Sequence, residues 1–226
     1  MEMDRVAKHY QSRLSSANPE VRLLALKALM EINQPPALDR LTEMLQTDPD
    51  MRVRMGAVEV LSLCYREKAL EALSAAARFD ASARVRMTAV SYLVLIGDAS
   101  AVPVLIDRLE HDADRQVQQR AYGYLLLDPD ASPEPLLKRI EKGESEALYA
   151  LVAAAKLHSR MDLIEAAIRA NPTLVVREAI AERGTPAFGP VITMHIEAEL
   201  MRQGRDDLAK ALRGAFHRDH SNELER

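Results

Sequence analysis

Tryptophan is absent from this sequence of 226 residues, aromatic side chains make up 4% of it, and there are only 8 glycines. That scarcity argues against a sheet protein, whose strands draw on aromatic residues and whose tight turns draw on glycine. Long apolar runs are missing too. The longest, such as Ala147 to Ala155, fall far short of the roughly 20 residues that a membrane span requires. The opening Met1-Glu2-Met3-Asp4 shows no basic-then-apolar leader pattern. Nor is there an excess of one charge: 34 acidic and 30 basic residues are interspersed to a net −4. No global field is available to gather a polyanion, so neither nucleic acid nor membrane is an expected partner. A single cysteine, Cys64, excludes an internal disulfide, and the expected location is the cytoplasm.

What is present is Leu, Ala, Arg and Glu in helix-forming proportion, with 48% hydrophobic and 28% charged residues, and it is ordered as a repeat. Val21, Val53, Val85 and Val117 stand 32 residues apart, as do Ala25, Ala57, Ala89, Ala121 and Ala153. Leu29, Leu61, Leu93, Leu125 and Leu157 form a third column, and Leu41, Leu73, Leu105 and Leu137 a fourth, half a repeat away. Within one unit Val21, Ala25, Leu29 and Ile32 share a helical face, and Leu38, Leu41 and Leu45 share another. Each unit therefore reads as two amphipathic helices, whose apolar sides are covered only when units stack.

Capping residues before a proline start helices at Asn18-Pro19, Ser132-Pro133, Asn171-Pro172 and Thr185-Pro186, with Asp50 and Asp114 in the equivalent cap positions. Second helices are expected at about 19 to 32, 51 to 64, 83 to 96, 115 to 127 and 146 to 158, with first helices between them. Past about residue 160 the register loosens into irregular capping helices to about 216, followed by a frayed tail from 217 to 226. Residues 1 to 226 read as one domain.

Val21-Arg22, Val53-Arg54 and Val85-Arg86, each followed by the Ala and Leu columns, with Gly97-Asp98 and Ala101-Val102-Pro103-Val104-Leu105 after the third, resemble the short HEAT-like repeats of phycobilisome lyases. Gln118 departs from the pattern, and the Gly-Asp turn occurs once. The resemblance implies an all-α fold, a right-handed α-α superhelix of about seven helix pairs. It also implies a ladder in which Arg22, Arg54 and Arg86 meet acidic residues near neighbouring helix starts, with Asp50 and Asp114 as candidates. A basic binding stripe is the alternative use of these arginines.

No constellation for catalysis emerges, and no cofactor is expected. The His-Glu dipeptides of HEAT-type metal oxygenases are absent, as are the Trp and basic groove of HEAT-like glycosylases. No residue marks a bilin site. The tail residues His217, Asp219, His220 and Glu223 could approach one another, but read as a solvated end rather than a metal site. Cys64 shares the column of Ile32 and Ile96 and is expected in the core. Gly184 and Gly189, split by Pro186, match no phosphate loop.

In such a solenoid the second helices line the concave side. Opposite their buried face runs a column of Leu23, Met55, Met87, Gln119 and Leu151, four of them apolar, near Tyr92 and Tyr124 and rimmed by Arg52 and Arg84. One reading is tighter packing between helices; the other is an apolar groove for a partner protein's helix or peptide. The expected function is accordingly a non-catalytic adaptor or scaffold. Self-association through the C-terminal helices is the alternative, and a bilin-lyase-like activity a remoter one.

Overall fold

The structure, a computed structural model, describes residues 2–182, 185 and 187–223. Among them all regular structure is helical, with no strand. The chain divides into two compact units, Met1–Leu127 and Asp128–Arg226.

Unit 1 holds four helix pairs. They are α1 (Glu2–Arg13) with α2 (Pro19–Glu31), α3 (Leu38–Thr47) with α4 (Met51–Tyr65), and α5 (Leu70–Phe79) with α6 (Ala83–Ile96). The fourth sets α7 (Val102–His111) against α8 (Arg115–Arg120), a 3-10 turn (Ala121–Gly123) and α9 (Tyr124–Leu127). The last three pieces replace the unbroken second helix expected over 115 to 127. Unit 2 holds α10 (Glu134–Glu141) with α11 (Ser145–Leu157), α12 (Met161–Ala170) with α13 (Pro172–Ala181), and α14 (Pro190–Arg202) with α15 (Asp206–Glu223). The last helix thus continues beyond residue 217, where the sequence suggested a frayed end.

Local chemistry starts the helices where the capping residues stand. The side chain of Asn18 accepts the N–H of Glu20 at 2.9 Å, Asp50 that of Arg52 at 2.8 Å, Asp114 that of Gln116 at 2.8 Å, and Asn171 that of Leu174 at 3.0 Å. Thr185 is the exception. Its hydroxyl donates back to the Glu182 carbonyl at 2.7 Å, and the next helix waits for Gly189-Pro190; Pro186 lies outside the described residues. At its far end α6 stops because Gly97 takes the left-handed conformation, φ +80°.

Packing in unit 1 follows the columns. Ala25, Ala57, Ala89 and Ala121 are fully buried, as are Leu29, Leu61, Leu93, Leu41, Leu73 and Leu105. Each second helix packs on the next, α2 on α4, α4 on α6 and α6 on α8, more closely than the first helices pack on one another. Glycine sets the distance at two places. A Cβ on Gly56 would stand 3.0 Å from Cδ1 of Leu23, and one on Gly123 would stand 3.0 Å from Cγ1 of Val94.

The 32-residue register does not extend into unit 2. Helix caps fall at Asn18, Asp50, Ser82 and Asp114, but the next is Glu144, only 30 residues on. The two missing residues rotate α11, so that Ala147, Leu148, Leu151, Val152, Ala154 and Ala155 are buried while Ala153 and Leu157 face outward. In α10, likewise, Leu136 and Ile140 are buried and Leu137 is only half-buried. Counting from the cap restores the pattern: Leu151 stands where Ala25 does, and Ala155 where Leu29 does.

Candidate functional site

Three arginines in unit 1 make one construction three times. The guanidinium of Arg22 donates to both oxygens of Asp48 at 2.7 Å, that of Arg54 to both of Asp80 at 2.8 and 3.0 Å, and that of Arg86 to both of Asp112 at 2.8 Å. Each arginine also donates to a carbonyl six residues behind it: Ser16 at 2.7 Å, Asp48 at 2.8 Å and Asp80 at 3.0 Å. The arginine lies on the second turn of its helix and leans back toward the N-terminus, as helical side chains do, so it spans its own repeat's turn and the next repeat's. Each aspartate in turn accepts the N–H two residues on, of Asp50, Ser82 and Asp114 respectively.

The ladder partners are therefore Asp48, Asp80 and Asp112, not Asp50 and Asp114. Those two are occupied as helix caps and act on Arg22, Arg54 and Arg86 only through space. In the fourth repeat Gln118 keeps the carbonyl bond, its Nε2 donating to Asp112 O at 2.6 Å.

Repeated helix pairs tied by a repeated arginine agree with the family comparison: a family model for HEAT repeats fits residues 5–62 and 52–125, together more than half of the chain. The chain belongs to the HEAT-repeat family. Its fold is an all-α HEAT-type solenoid. No curated protein matches it.

The second helices of this HEAT-repeat protein present their outer side differently from the column read in the sequence. Leu23, Met55, Met87 and Gln119 are half-buried, and Leu23 reaches across to Gly56 of the next helix, so the row fills the space between helices. Leu151 belongs to the fully buried core of α11, and Tyr124 is fully buried in unit 1, so neither can meet a partner. Tyr92 is half-buried, whereas Arg52 and Arg84 are exposed. Arg52 is engaged by Asp50 at 2.8 Å and by Glu20 of the preceding repeat at 2.5 Å.

The large apolar side chains that do face water on these helices are others. They include Leu24, 57% exposed on α2, and the repeat-equivalent Leu63 and Leu95, 50% and 66% exposed at the ends of α4 and α6. Leu24 precedes the position of Leu63 by one heptad in the repeat frame, which returns to the same helical face.

Other candidates disperse. Cys64, expected in the core, is exposed; α4 ends beside it, and the column it shares with Ile32 and Ile96 is only half-buried at those positions. His111 bridges to Asp107 of its own helix at 3.3 Å, and His195 of α14 to Glu165 of α12 at 3.4 Å. The described residues contain no cluster of three or more metal-ligating side chains, and the side chains of His217, Asp219, His220 and Glu223 lie outside them. Among the described residues no helix is long and apolar enough to cross a membrane.

Unit 2 contains a polar cluster that the sequence reading missed. Glu178 of α13 is buried in a position that alanine holds in the regular repeats. It accepts the hydroxyl of Tyr149 at 2.6 Å and that of Ser145 at 3.0 Å, both from α11, and pairs with the neighbouring Arg177 at 2.7 Å. Burial would raise the Glu178 carboxyl, but the bonds from Tyr149, Arg177 and Ser145 outweigh it and hold it below the usual range. The Tyr149 phenol, desolvated and facing Glu178, is pushed well above its ordinary value. The only hint in the sequence was an acidic residue in a small-residue column.

Proposed function

We propose that this protein is a non-catalytic interaction module, an adaptor or scaffold, that takes a peptide or helix of a partner protein across the second-helix face of unit 1. HEAT repeats commonly mediate protein–protein interaction. The observation that carries the reading is the set of large apolar side chains left in water on that face, Leu24, Leu63 and Leu95. Half-buried Met55, Met87 and Tyr92 lie alongside on α4 and α6, with Arg52 and Arg84 at the rim. Isolated exposed leucines are ordinary, but Leu63 and Leu95 hold equivalent positions on neighbouring helices, and Leu24 lies one heptad earlier on the same helical face. The three ladder arginines serve stability rather than binding, since both ends of each guanidinium are already bonded. An exposed thiol at Cys64 suits a reducing compartment, which keeps the cytoplasm as the proposed location.

The decisive variant is Leu63→Glu with Leu95→Glu, because both side chains already face water and the fold has little reason to resist. Met55→Glu or Met87→Glu would confound the result by placing a charge between packed helices. The double variant is expected to melt within about 2 °C of wild type, as exposed substitutions cost little, yet to lose the host proteins that wild type retains in affinity capture. Equal retention by both would remove this face from consideration.

A second reading has its own observation. On α14, Val191, Met194 and Met201 are 71%, 70% and 52% exposed, and with exposed Ala198 they form a stripe at steps of three, four and three. Such a stripe suits helix-to-helix pairing of two copies. Light scattering should then give a dimer mass that Met194→Glu reduces to the monomer; a wild-type monomer at every accessible concentration would remove this reading.

A further inference from the structure

Charge is distributed unevenly along the second-helix face of unit 1. Toward α2 and α4 both signs are present: Arg52 pairs with Glu20 and Asp50, and Lys27 shares these helices with Glu31 and Glu59. From α6 to the end of unit 1 the second helices carry no acidic residue. Residues 83–96 and 115–127 contain four charges, Arg84, Arg86, Arg115 and Arg120, all positive. Arg86 is consumed by Asp112. The side chains of Arg84, Arg115 and Arg120 are exposed and make no hydrogen bond or ion pair among the described residues. In the repeat frame Arg84 and Arg120 fall on the second and sixth positions after their caps, one turn apart on the face that also carries Leu24, Leu63 and Leu95.

We propose that the α6–α8 end of this face recognises an acidic amphipathic peptide segment of a partner protein. Its carboxylates pair with Arg84 and Arg120 while its apolar side chains lie against Leu95 and Leu63. The proposal rests on the interaction-module reading above and adds the chemistry and direction of the occupant. Arginine forks match carboxylates two bonds at a time, and an apolar strip beside them is wasted on a polyanion but completes a site for a segment with one greasy side. Three open cations in a chain of net −4 are too few to hold a nucleic acid, which needs a run of phosphate contacts. Toward α2 the Arg52 cation is already paired and exposed Glu31 repels the same carboxylates, so the segment docks in one orientation.

The probe is a display library of random short peptides panned against the full chain, with the variant Arg84→Glu/Arg120→Glu and the variant Leu63→Glu/Leu95→Glu in parallel. Enriched peptides are expected to carry more Asp and Glu than the input, with apolar residues between. Their affinity should fall about tenfold or more on either variant, and on raising salt for wild type only where acidic residues are present. Enriched peptides without acidic bias, indifferent to the arginine variant but lost on the leucine variant, would overturn the acidic specificity and leave the docking face standing. Failure to enrich any peptide, or binding that both variants preserve, would overturn both. Displacement of the peptides by a single-stranded oligonucleotide that binds more tightly would assign the arginines to nucleic acid and end the proposal.

Discussion

Replacing Asp80 by alanine is expected to lower the stability of unit 1 by about 3–5 kcal/mol, the scale for removing one partner of a buried ion pair. With Asp80 the Arg54 guanidinium has two charge-assisted bonds, and the side chains of the pair are 14% and 6% exposed. Without it the guanidinium keeps only the carbonyls of Asp48 and Pro49, and the Ser82 N–H loses its acceptor. Because the aspartate joins one repeat's arginine to the next repeat's turn, its loss also loosens the contact through which stacked pairs support each other. Asp50→Ala is the control. It removes a cap and a partner of exposed Arg52, a smaller loss, and leaves the ladder intact. Urea unfolding of the two variants distinguishes them: if Asp80→Ala is no worse than Asp50→Ala, the ladder is ornamental. Arg54→Met combined with Asp80→Leu should recover most of the loss, because an apolar pair of similar volume has no buried charge to satisfy.

The ladder also shows where reading the sequence reaches its limit. The helix pairs, their number and the buried Val, Ala and Leu columns of unit 1 were legible because apolar periodicity reports a face directly. Which acid meets the arginine was not, since Asp48 and Asp50 lie two residues apart in one turn, and only the bond geometry shows that the second is spent on capping. On α2 the outward leucine was misplaced by one residue for a similar reason. Leu23 and Leu24 are both apolar, and nothing in the spacing tells the one wedged against Gly56 from the one left in water. Leu151 was placed on that column by extending the 32-residue count through a stretch that is two residues shorter from cap to cap. Tyr124 follows the 3-10 turn of the fourth repeat, which carries the side chain inward.

Glu178 gives the second large effect, in unit 2. Glu178→Ala is expected to cost about 2–3 kcal/mol: the fit of a small residue in that column is regained, but the Tyr149 and Ser145 hydroxyls lose a charged acceptor where water reaches them poorly. Adding Tyr149→Phe should return much of that loss, since removing both ends of a buried bond leaves nothing unpaired. The same cluster sets the pH dependence. The folded Glu178 carboxyl is held below its unfolded value, so its contribution is complete above about pH 4.3 and lost as pH falls through the folded value. Tyr149 works in the opposite direction. Its folded value is raised, so its contribution is complete below about pH 10 and lost as pH climbs through the folded value. Urea midpoints measured across pH should therefore decline at both extremes for wild type, with Glu178→Gln flattening the acid limb and Tyr149→Phe the alkaline one. Unchanged limbs in both variants would mean that the pair is not linked to unfolding, and that Glu178 sits in the alanine column without being anchored by Tyr149.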